Sequence, residues 1–105
     1  MEQPNLSYIT SMSGGDKAFE QKLINIIKLE FPEEKNVYFK NFEAENYKLT
    51  AENVHKLKHK ISILGLEKSY DVAVDYENSL IDGKTEGRIE FESILQTMTD
   101  FLETL

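Results

Sequence analysis

The chain has 105 residues, 40% apolar and 30% charged, with 12 basic and 19 acidic side chains for a net charge of −7. That length and balance fit one domain with its own core; six Phe and five Tyr are too many for a disordered acidic tail, and the net charge has the wrong sign for a nucleic-acid binder. With no cysteine there can be no disulfide, thiolate metal site or cysteine nucleophile, and no run approaches the roughly 20 apolar residues of a membrane span.

The opening Met1-Glu2-Gln3-Pro4-Asn5 has no basic stretch followed by an apolar one, so no secretory signal is expected and the cytoplasm is the expected compartment. A short element is expected from Asn5 to Met12. Ser13-Gly14-Gly15 breaks it, and Asp16 is placed to cap a long helix with Glu20 in its first turn. Phe19, Leu23, Ile26, Ile27 and Phe31 follow at helical spacing, and Tyr38, Phe39 and Phe42 resume it beyond Pro32. Proline has no N–H, and its ring would strike the Lys28 carbonyl, so residues 16–45 read as one kinked helix or as two abutting ones. Thr50 is the expected cap of the next helix, which carries Val54, Leu57, Ile61 and Leu64 and ends at Gly65. A further helix, 66–82, carries Leu66, Tyr70, Ala73, Glu77 and Leu80. The last, 88–104, carries Phe91, Leu95, Met98 and Leu102, with Leu105 just beyond.

Each apolar stripe needs a partner, and short connections make neighbours antiparallel. The expected fold is all-α: an antiparallel up-down-up-down four-helix bundle with a short N-terminal capping helix, residues 1–105 forming one domain.

Charge is unevenly spread. Between Lys48 and Lys68 five lysines face two glutamates, which leaves −10 on the rest of the chain. The two histidines, His55 and His59, lie in this basic segment. His55 falls about 140° from the centre of the apolar stripe, and Lys58, His59 and Ser62 share its side. A neutral imidazole is a good nucleophile near neutral pH and can hold a phosphoryl group on a ring nitrogen, with a lysine one turn away as a point charge for the oxygens. Lys56 and Lys60 read as solvated. His55 and His59 also have metal-ligand spacing with Glu52, but metal bundles carry their Glu-x-x-His motifs in pairs facing inward, whereas the single motif here faces outward, so no metal site is expected. Glu77 shares the core-facing register of its helix, where a carboxylate needs a partner. The Nδ1–H of His55 would supply one and free Nε2; a lysine or water at the rim is the other reading.

His55-Lys56-Leu57-Lys58 followed by Leu64-Gly65 resembles the His-x-Leu-Lys-Gly … Leu-Gly signature of histidine-containing phosphotransfer (HPt) domains. Gly14-Gly15-Asp16 with Phe19 and Leu23 is similar to the family's opening of its first long helix, and the resemblance covers nearly the whole chain. The resemblance implies that His55 accepts the phosphoryl group, Lys58 stabilises it, Gly65 ends the helix and Glu77 orients the imidazole. The chain departs from the family at His59, where Gly is usual, and at Ile61, where a small residue is common.

The implied role is a phosphocarrier without kinase activity of its own. It would pass a phosphoryl group from a receiver aspartate of a hybrid sensor histidine kinase to a response-regulator aspartate. It would have no cofactor, because the receiver domains bring the Mg²⁺. A monomer is expected, with His59, Ser62, Lys56 and Gly65 around the docking site and Ile63 and Leu66 as its apolar rim. The alternative is a helical adaptor whose acidic surface binds a basic partner.

Overall fold

The computed structural model describes residues 2–105. Among them are five helices and no strand: α1 (Ser7–Ser13), α2 (Lys17–Glu43), α3 (Tyr47–Ile63), α4 (Glu67–Ile81) and α5 (Arg88–Glu103). No helix among the described residues is long and apolar enough to cross a membrane.

Local chemistry sets the ends. The Asp16 carboxylate accepts the Phe19 N–H at 3.1 Å and starts α2 as expected. Pro32 lies inside α2, which continues through it as one helix of 27 residues. The start of α3 differs from the sequence expectation. Asn46, not Thr50, is the cap, its side chain accepting from Leu49 N–H at 3.2 Å. Thr50 is one turn inside and buried, with its hydroxyl donating to the Asn46 carbonyl at 2.8 Å. Asn is as good a cap as Thr, and starting at Tyr47 lets that ring pack 5.8 Å from Phe42.

The turn from α3 to α4 is built with the N-terminal arm. Gly65 takes a φ of 77°, and a Cβ there would lie 2.6 Å from Nδ2 of Asn5. The Asn5 N–H donates to the Leu64 carbonyl at 2.8 Å. Leu66 offers α4 no side-chain cap. Glu2 supplies one from a distance, its two oxygens accepting Lys68 N–H and Ser69 N–H at 3.0 and 2.9 Å. Burial works against ionisation of Glu2, but these two amides, with the Ser69 hydroxyl and the Lys68 charge, together outweigh it and hold its carboxyl below the usual range.

α2 packs on α3, α3 on α4, α4 on α5 and α5 on α2, with α1 laid on α2. Val54, Leu57, Ile61 and Leu64 are fully buried, as are Phe91, Leu95 and Met98, in line with the sequence stripes. In α2 the buried face is Ile24, Ile27, Phe31 and Tyr38, while Phe19 and Ile26 are exposed. The seven apolar residues from Phe19 to Phe31 span too wide an arc for one seam, and only Ile24, Ile27 and Phe31 of them are buried. Lys60, expected in solvent, lies against α2 with Nζ 2.9 Å from Glu30 and 3.6 Å from Glu34.

A chain of polar groups crosses the core. Tyr38 and Tyr76 share a hydrogen bond of 2.7 Å, Tyr38 donates to Glu92 at 2.9 Å, and Arg88 Nε donates to the same Glu92 oxygen at 3.0 Å. Since the one hydroxyl proton of Tyr38 goes to Glu92, Tyr76 donates to Tyr38. Burial pushes both phenols up, Tyr76 to about 12.

Candidate functional site

Helical spacing puts Val54 and Leu57 in the core and leaves His55, Lys56, His59 and Ser62 exposed on α3. The site forms where this face meets α4. Glu77 follows the buried Tyr76 by one residue, about 100° around the helix, so its carboxylate reaches the α3–α4 seam and not the interior. The core-facing position expected for it is therefore corrected: Tyr76 is inside, and Glu77 is on the rim with 16% of its side chain exposed.

There the carboxylate is shared. One oxygen lies 3.1 Å from Nδ1 of His55 and the other 3.0 Å from Nζ of Lys58. A carboxylate can only accept, so Nδ1 carries the proton and, in the neutral ring, Nε2 carries the lone pair. The His55 side chain is 55% exposed. Charge-assisted bonds to a partly desolvated carboxylate are stronger than those between neutral groups, so this contact fixes both tautomer and ring orientation.

Lys58 differs from its expected outward position. Its side chain is only 12% exposed, drawn against α4 by Glu77, with Nζ 5.6 Å from the centre of the Tyr70 ring. His59 stands edge-on to His55, ring centres 5.2 Å apart and planes at 89°.

His55, Lys58, Glu77 and His59 thus come together. Lys56 lies beside them, on the wall of an open groove of about 870 Å³ that runs from His55 toward the start of α3 and the end of α4. Leu49 and Ile81, both exposed, line this groove with Tyr47 and Lys48. Ser62, Ile63 and Gly65 lie the other way, about 10–15 Å along the helix from His55 at 1.5 Å per residue. Ile63 is half-buried, and Gly65 is closed off by Asn5. Leu66, expected on the apolar rim, is in the core with 1% exposure. The groove was not foreseen from sequence; its signal was Leu49 and Ile81, apolar residues off the stripes of their helices.

Among the described residues no group of three or more His, Asp or Glu side chains is arranged to hold a metal ion. Comparison with known families, curated proteins and solved structures yields no match to this chain. The site offers an imidazole on a side chain 55% exposed, with Nδ1 held by a fixed carboxylate and the lone pair left on Nε2. An open apolar groove leads away from it.

Proposed function

We propose that the chain is an HPt phosphocarrier that accepts a phosphoryl group on Nε2 of His55 from a receiver aspartate and returns it to another. The contact between Glu77 and Nδ1 of His55 carries this reading, because it prepares one ring nitrogen, on an exposed ring, for attack. In the transfer the Nε2 lone pair forms a bond to phosphorus while the bond from phosphorus to the aspartyl oxygen breaks, leaving its electron pair on the carboxylate. Nδ1 keeps its proton. The ring becomes cationic, and the Glu77 carboxylate stabilises that charge across the 3.1 Å contact. The receiver brings the Mg²⁺ that neutralises the transferring oxygens, and the chain supplies an oriented nucleophile and a docking groove.

An antiparallel up-down-up-down arrangement of α2 to α5 belongs to the same proposal. Its support is that contacts run in opposite residue order: Lys60 meets Glu30 while Asn53 meets Asn41, and Thr99 meets Lys35 while Glu92 meets Tyr38. In this reading residues 1–105 work as one cytoplasmic, monomeric domain, and Leu49 and Ile81 replace Leu66 as the apolar part of the docking surface.

The test is incubation with a phosphorylated receiver domain. Label should move to the wild-type chain and be lost in His55→Gln. No transfer from any receiver, with a basic protein bound to the acidic surface, would favour the adaptor. Label retained in His55→Gln but lost in His59→Gln would move the site by one turn.

A further inference from the structure

We propose that His59, and not Lys58, is the side chain of this chain that meets the phosphoryl group on His55. This inference rests on the phosphocarrier reading and assigns a role within the same site. Two observations carry it. The Lys58 ammonium is already committed, 3.0 Å from a Glu77 oxygen on α4, and its side chain is only 12% exposed. Turning it toward Nε2 would strip Glu77 of one donor and bring the ammonium out of the seam. The second observation is His59 itself, one turn further along the exposed face with its ring 5.2 Å from that of His55. In either protonation state an imidazole keeps at least one N–H donor.

The work is therefore divided. Lys58 and His55 Nδ1 neutralise and hold Glu77 on the α4 side. His59 donates to the phosphoryl oxygens on the solvent side, where charge is spread during in-line transfer. The same ring narrows the approach to His55, so a receiver must accommodate it.

Phosphoramidate, a small phosphoryl donor, separates this role from partner docking. Nε2 attacks its phosphorus, the P–N bond breaks, and ammonia leaves with the electron pair. The rate of phosphohistidine formation on the full chain is followed by ³¹P NMR for wild type, His59→Ala, His59→Lys and Lys58→Met. Loss of one charge-assisted donor should slow His59→Ala on the order of fivefold, with His59→Lys recovering most of the rate. Lys58→Met removes a cation that helps hold Glu77, so it should slow the reaction as well, but less than His59→Ala does, since the amine is not at the phosphorus. A wild-type rate in His59→Ala, or a loss in Lys58→Met as large as in His59→Ala, overturns the assignment while leaving His55 as acceptor. Failure of the wild-type chain to gain phosphorus on His55 overturns the phosphocarrier reading itself and this assignment with it.

Discussion

Tyr38 of α2 and Tyr76 of α4 join hydroxyls at 2.7 Å inside the core, and Tyr38 passes its own proton to Glu92 of α5. The chain of bonds is directional, so the two phenols are not equivalent. Tyr38→Phe removes the acceptor of Tyr76 and one of the donors to Glu92, leaving the buried Tyr76 hydroxyl unpaired, and should cost about 1–3 kcal/mol. Tyr76→Phe leaves the Tyr38–Glu92 bond in place and should cost about 0.5–1.5 kcal/mol. Urea unfolding of the two variants tests the order.

The same pair makes stability depend on pH in alkali. Both phenols ionise less readily when folded, Tyr76 near 12 against an ordinary 10.0. A raised folded value means that the unfolded chain loses protons first, so stability falls as pH rises. The contribution should be complete below pH 10 and decline between pH 10 and 12. Thermal scans across that window should show a falling Tm, less steeply in Tyr76→Phe.

Glu2 gives the opposite slope in acid. Its carboxyl is held low by the α4 amides, so its contribution is present above the ordinary carboxyl value, about 4.3, and disappears as pH falls through the lower folded one. Glu2→Gln keeps acceptor oxygen but loses the charge at a helix N-terminus; Glu2→Ala loses both and should cost about 0.5–1 kcal/mol at neutral pH. Circular dichroism melts at pH 7 and pH 3 should show the difference from wild type shrinking in acid.

Gly65 is constrained twice, by a φ of 77° and by Asn5. Gly65→Ala should lower stability by about 1–3 kcal/mol. Adding Asn5→Ala removes the clash but not the backbone strain, so the pair of changes should be less damaging than the sum of the two. Strict additivity in denaturant unfolding would show that Asn5 does not set the cost.

At the candidate site, Glu77→Leu leaves Lys58 unpaired in the seam and frees Nδ1. It should cost about 1–3 kcal/mol of stability and shift the neutral His55 ring toward the Nε2–H tautomer, as read by ¹⁵N NMR. Glu77→Gln keeps an acceptor for Nδ1–H and should retain the wild-type tautomer and part of the phosphoryl transfer.

Helix order and most of the core were legible because the stripes of α3 and α5 match their periods closely. The Asp16 cap and the Gly65 stop were legible because each has one local chemical reason. What stayed hidden depends on distant residues. The α4 cap comes from Glu2, more than 60 positions away in sequence, and nothing near Leu66 announces it. Asn46 and Thr50 are both sound caps, and the packing of Tyr47 on Phe42 accompanies the earlier choice. At the site, the family resemblance and the need of a carboxylate in that register for a partner brought His55 and Glu77 into one hypothesis, although Glu77 stands on the rim and not in the core. The retreat of Lys58 could not be read that way, since a lysine four carbons long reaches either solvent or the seam. Only the position of Glu77 decides which.

Pro32 cannot offer an N–H to the Lys28 carbonyl, so the longest helix lacks one rung near its middle. The stretch before the gap is tied to α1 through Glu20 and Thr10, and the stretch beyond it holds Tyr38 in the aromatic interior. Fraying that begins near Lys17 meets a break in the ladder before it reaches the phenol pair. Amide hydrogen exchange should therefore divide α2 into two blocks, the earlier one opening without the later, so that the half nearer the imidazole site keeps its shape while the far half breathes.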